Sequence, residues 1–207
     1  AEALPEVHDG YTRFVFRIKP GIHFTDHPAF KGKPRELTAE DYVYSIKRYY
    51  DPATRSPTLF HYENAGLVGL SERRKKAIDE KKPFDYDTPV EGLRVLDRYS
   101  FEIRTSRPAP RLPFVLASPA IAGALAREVV EQDPSTIGER PVGTGPFKVG
   151  AWTRGARLVL ERNQYQEWRR YEAEPNAGDT ASEALAAKFR GRSLPMLDRV
   201  EITIVEE

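Results

Sequence analysis

Cysteine is absent from this 207-residue chain. That excludes a disulfide framework, a zinc ribbon, an iron–sulfur site and a cysteine nucleophile. An excess of one charge is lacking too, since 32 Lys and Arg stand against 31 Asp and Glu, a net +1. No global field therefore favours nucleic acid or an anionic membrane. No apolar run approaches the roughly 18 residues that a membrane-spanning helix needs. Methionine occurs once, at Met196, and without an initiator the chain is expected to be a piece of something longer. What is present is 17 Pro and 14 Gly in a sequence that is 40% hydrophobic. That suits a loop-rich globular fold of one large domain or two small ones.

Periodicity gives the elements. Phe14, Phe16 and Ile18 alternate as one face of a strand, with Asp9-Gly10 and Pro20-Gly21 as turns on either side. Ile22 to Thr25 reads as a short second strand, and Asp26 to Glu36 as a loop. Thr38 starts a helix with Glu40 and Asp41 in its first turn, Val43, Ile46 and Tyr50 as its inward stripe, and Asp51-Pro52 as its stop. Residues 71–82 read as a short solvated helix. A hairpin is expected over 92–96 and 99–105, and an extended approach through Pro108, Pro110 and Pro113 to Phe114. Ile121 to Gln132 reads as one helix. Strands are expected at 147–152, 157–162 and 199–205, the last with Val200, Ile202 and Ile204 inward, and a helix at 181–189.

Chemistry-bearing patterns are few. His23, Asp26 and His27 have ligand-like spacing but no fourth ligand, so a polar turn is the better reading and no metal is expected. Arg73-Arg74-Lys75-Lys76 is interleaved with acids, as on a solvated helix face. Gly143-Thr144-Gly145 is followed by Pro146 and a strand, so no helix N-terminus faces the loop to hold a phosphate. There is no nucleophile elbow and no carboxylate in an apolar stretch. Neither an enzyme nor a cofactor is indicated.

Three stretches in order carry a resemblance. Leu4 to Gly10 leads into Phe14-Val15-Phe16-Arg17-Ile18-Lys19-Pro20-Gly21-Ile22-His23-Phe24, and Leu37-Thr38-Ala39-Glu40-Asp41-Tyr42-Val43 follows. Pro141-Val142-Gly143-Thr144-Gly145-Pro146-Phe147 comes far downstream, before Leu158 to Asn163. This series resembles the family 5 extracellular solute-binding proteins, the oligopeptide and dipeptide receptors of ABC importers. The resemblance implies a mixed α/β (α+β) fold, here a fragment of a bilobal type II periplasmic binding protein. Residues 1–130 would be the family's small extra domain and 131–207 part of its first lobe. It implies a non-catalytic receptor, periplasmic or lipid-anchored outside a Gram-positive cell. Its partners would be a peptide or other small solute and an ABC permease, with no nucleic acid. A solute-sensing domain of a transcription regulator is the alternative. Two segments match places that approach the ligand in relatives: Phe60-His61-Tyr62, and Ser118-Pro119 after Phe114. The Gly143 to Phe147 loop would fix a junction, its glycines allowing a tight path. Two departures stand out, a longer loop at 26–38 and an insertion at 167–194 that begins near Tyr165 and Trp168.

Overall fold

The computed structural model describes residues 2–134, 137–165 and 169–205. They fall into two compact units, one of residues 1–21 and 36–127, the other of 22–35 and 128–207. The chain therefore crosses between units three times, at 21/22, 35/36 and 127/128.

The first unit is built on a four-stranded antiparallel sheet with strand order β1-β2-β4-β3. Its strands are β1 (Glu6–His8), β2 (Arg13–Arg17), β3 (Leu93–Asp97) and β4 (Ser100–Arg104). Phe16 lies opposite Phe101 and Phe14 opposite Ile103 in the β2–β4 register. All four are buried on the face that receives helix α1 (Ala39–Tyr50), where Tyr42 stacks on Phe101 with ring centroids 5.4 Å apart. Burial of each such side chain contributes on the order of 2 kcal/mol. The opposite face carries Glu102, whose side chain is almost wholly buried between Arg13 at 2.6 Å and Arg104 at 2.7 Å. Burial raises the pKa of this carboxyl, but the bonds from Arg104 and Arg13 win and hold it below its ordinary value.

Helix α1 starts where the sequence places it. The Asp41 carboxylate accepts the Thr38 backbone N–H at 2.7 Å, closing the first turn. Its inward stripe is wider than Val43, Ile46 and Tyr50: Val43 is half-buried, while Ala39, Tyr44, Ser45 and Lys47 are buried. It is followed in the first unit by α2 (Leu59–Ala65), α3 (Leu70–Glu80), α4 (Leu112–Ala117) and α5 (Pro119–Ala122). The reason for the wider stripe is that α1 packs on β3 and β4 and also on α3 and α5, and through Tyr49 on Tyr62 of α2. The expected helix over 121–132 is two helices, α5 and α6 (Arg127–Gln132), because Gly123 is extended and the Leu125 N–H turns to the Ser45 hydroxyl at 2.8 Å. The expected extended run to Phe114 is instead α4, with Pro113 in the first turn where its missing N–H costs nothing.

The second unit holds a three-stranded antiparallel sheet in the order β5-β6-β7, made of β5 (Phe147–Thr153), β6 (Arg157–Arg162) and β7 (Arg199–Thr203). Residues 22–25 form no strand; Phe24 is pinned by its N–H to the Arg35 carbonyl at 2.9 Å instead. Asn163, fully buried, donates its amide to the Gly145 carbonyl and its backbone N–H to Pro146. The Thr25 N–H bonds the Gly143 carbonyl at 2.9 Å. These bonds, rather than glycine geometry, set the 143–147 loop: a Cβ on Gly143 would meet nothing within 4 Å, and neither Gly143 nor Gly145 has a positive φ. Helix α7 (Thr180–Phe189) is capped by the Asp179 carboxylate on the Ser182 N–H.

Candidate functional site

Both segments singled out as ligand-facing lie in the first unit, and one hydrogen bond, from Tyr62 to Ile121, links the helices that carry them. Helix α2 ends at Gly66, whose φ of 75° is the left-handed conformation that glycine adopts without strain. One turn earlier Tyr62 points inward. Its hydroxyl donates to the Ile121 carbonyl of α5 at 3.0 Å, and its ring packs 4.9 Å from that of Tyr49. Burial pushes this phenol far above its ordinary pKa.

Tyr62 is therefore corrected from ligand contact to support: it is fully buried and its hydroxyl is already used inside the unit. In sequence an aromatic hydroxyl at such a site resembles a ligand donor, and only packing distinguishes the two roles. Its neighbours face outward. Phe60 is 51% exposed, and its ring lies 4.0 Å from the half-exposed His61 ring. Ser118, half-buried, links α4 to α5; its carbonyl takes the Ile121 and Ala122 N–H groups, and Pro119 after it is exposed. On α4, Phe114 is 77% exposed. The exposed Phe60 and Phe114 rings and the half-exposed His61 ring can stack and hydrogen-bond with a solute.

Sequence reasoning missed two buried polar residues of α1 that hold neighbouring segments in place. Ser45 of α1 accepts the Leu125 N–H and donates to Asp41, fixing the chain just after α5. Lys47, buried, sends its ammonium to the carbonyls of Tyr86 at 2.6 Å and Thr88 at 3.2 Å, and burial lowers its pKa. Both stand in a helix whose periodicity marks them as polar, so no local pattern flags them.

In the second unit His23, Asp26 and His27 do not converge. Asp26 accepts from the Tyr165 hydroxyl and the Gln164 amide, each at 2.6 Å, and His27 Nδ1 accepts the Ala29 N–H. Among the described residues no group of three His, Asp or Glu side chains could hold a metal ion. A cavity of about 780 Å³ opens beside β5, lined by Asp26, His27, Arg140, Trp152 and Arg154 among others. Arg154 is committed there to Glu139 at 2.7 Å and lies over the Trp152 ring. Trp168, expected at the start of the second insertion, lies outside the described residues.

Comparison with known proteins supplies the wider frame. The periplasmic oligopeptide-binding protein OppA of Salmonella typhimurium is 31% identical over 157 residues, 75% of this chain and 26% of its own length. A probable deoxycholate-binding periplasmic protein of Escherichia coli, YgiS, is 26% identical over 159 residues, 76% of this chain and 27% of the relative. The chain thus spans about a quarter of the length of these relatives. The unliganded open form of the murein tripeptide-binding protein MppA superimposes with a TM-score of 0.64 at 20% identity, over 97% of this chain and 32% of that one. That likeness shows the fold, a part of the bilobal type II binding-protein architecture. Residues 1–207 match the family described as bacterial extracellular solute-binding proteins, family 5 Middle, and the chain belongs to that family.

Proposed function

We propose that this chain is part of a peptide-binding receptor that delivers its ligand to an ABC permease. The observation that carries this reading is the 31% identity to an oligopeptide-binding protein over three quarters of the chain. The receptor works in the periplasm, or outside the cell on a lipid anchor, and binds without catalysing. Residues 1–130 correspond to the family's small extra domain and residues 131–207 to part of its first lobe. Phe60, His61, Ser118 and Pro119 form a contact surface for the ligand, with Tyr62 as the support beneath. An extended peptide is held largely through its backbone, and its side chains rest on tolerant surfaces such as the Phe60–His61 pair. One wall of a cleft cannot exclude water from a ligand, so tight binding needs the rest of the receptor. The regulator-sensor reading gains no supporting observation.

Native mass spectrometry of the whole protein, purified gently, tests the reading. A spread of co-purified masses matching short peptides is expected, and Phe60→Ala should weaken peptide affinity about tenfold, a loss typical of a buried aromatic anchor. A single discrete adduct would overturn the peptide assignment. Unchanged affinity in the Phe60 variant would remove this surface from the site.

A further inference from the structure

The excursion from 169 to 195, where the family resemblance marks an insertion, closes on itself. The Leu194 N–H bonds the Arg169 carbonyl at 2.9 Å, the Tyr171 N–H bonds Arg192 at 3.0 Å, and the Gly191 N–H bonds Tyr171 at 3.0 Å. Arg170 and Ser193 form a bridge between the two ends. This neck gathers five exposed cations from separate stretches of sequence: Arg169, Arg170, Lys188, Arg190 and Arg192. Among the described residues, no carboxylate forms a salt bridge with Arg170, Lys188, Arg190 or Arg192. Elsewhere several arginines are paired with carboxylates, as with Arg13, Arg17, Arg35, Arg98 and Arg157. The excursion also carries four carboxylates: Asp179 caps the far end of α7, Glu183 is one turn in, and Glu172 and Glu174 are exposed and form no salt bridge among the described residues.

Aromatic and apolar groups sit inside the cationic cluster. The Phe189 ring has Lys188 and Arg192 each 5.5 Å from its centroid and meets Tyr171 edge-on at 5.9 Å. Leu185, four residues earlier and so on the same side of α7, is exposed. Clustered like charges repel, and the C-terminal end of a ten-residue helix offsets only part of that cost. We propose that this neck is a contact surface for the anionic headgroups of a phospholipid bilayer. Flexible cations beside exposed apolar side chains match a plane of repeated negative charge, which demands no shape complementarity. An acidic protein would instead require a fitted apolar centre to bind at this size. On a chain of near-zero net charge a local cationic patch would orient the molecule as well as retain it.

The test is co-sedimentation of the protein with vesicles of phosphatidylcholine alone or with phosphatidylglycerol, at low and physiological salt. Retention on the anionic vesicles only, weakening with salt, is expected. Arg190→Gln with Arg192→Gln should reduce it about 25-fold, about fivefold for each cation removed. A control with Arg94→Gln and Arg111→Gln, which removes the same charge elsewhere, should bind as the parent does. Absence of retention on anionic vesicles, or equal loss in the control pair, would overturn the proposal. So would capture by immobilised polyglutamate without capture by vesicles, which would assign the neck to an acidic protein. Peptide affinity is measured separately and stands or falls independently of this result.

Discussion

Two tyrosines show how a single oxygen decides a residue's role. Tyr62 and Tyr50 are both fully buried, with ring centroids 6.5 Å apart, and burial raises the pKa of both. The Tyr62 hydroxyl has the Ile121 carbonyl; among the described residues the Tyr50 hydroxyl has no hydrogen-bond partner. A buried hydroxyl without a partner forfeits its bond to water and receives nothing in return. Tyr62→Phe should therefore cost about 1 kcal/mol, and Tyr50→Phe should be neutral or stabilising. Urea unfolding of the two variants checks the contrast, and equal losses would refute it. The same reasoning moves Tyr62 out of the proposed ligand surface. Its type and neighbours are legible in sequence, whereas the direction of its side chain depends on α5, some 60 positions later.

Among the elements, those with a strong local signal were legible and those shaped by distant partners were not. The α1 boundary follows from Thr38, Asp41 and Pro52, all within the helix or at its ends, and β2 from the alternation that places Phe14 and Phe16 on one face. The break between α5 and α6 instead depends on Ser45, 80 residues before the Leu125 it holds. The strap from 83 to 90 is a similar case, with no helix or strand of its own. Lys47 binds its Tyr86 and Thr88 carbonyls, and Arg73 binds those of Asp85, Thr88 and Pro89. Arg127 pairs with Asp87, and the Tyr86 hydroxyl donates to Asp51 at 2.6 Å. Cations thus satisfy carbonyls that a sheet would otherwise satisfy. Lys47→Met should cost about 2 kcal/mol, the scale of hydrogen bonds to a charged donor. It should also speed hydrogen exchange at the amides of 84–90 more than in the β2–β4 ladder, since Lys47 acts on the strap. Uniform acceleration across the first unit would show that the lysine supports the whole core instead.

Across the whole molecule, the two sheets differ in how well the chain covers them. The first sheet lies under α1, and Phe14, Phe16, Phe101 and Ile103 are buried. In the second, cross-strand rows of Val149, Leu160 and Val200, and of Trp152, Leu158 and Ile202, put apolar side chains on one face. None of these six is buried. Ile202 is 46% exposed and Ile204, just past the end of β7, 50%, although alternation over 199–205 marks both as inward. Alternation tells which residues share a face, but not whether anything covers that face, and so it could not foresee this. β7 is also a sheet edge, with backbone groups free of a further strand among the described residues. An apolar face beside an open edge favours association of like copies. The 207-residue chain in isolation should therefore sediment faster as its concentration rises and should enhance the fluorescence of a hydrophobic dye. Ile202→Lys with Ile204→Lys should reduce both signals while leaving the melting transition of the chain intact, because both positions are already half in water. A monomer at every concentration, or association unaffected by the two lysines, would show that this face is not what joins the copies.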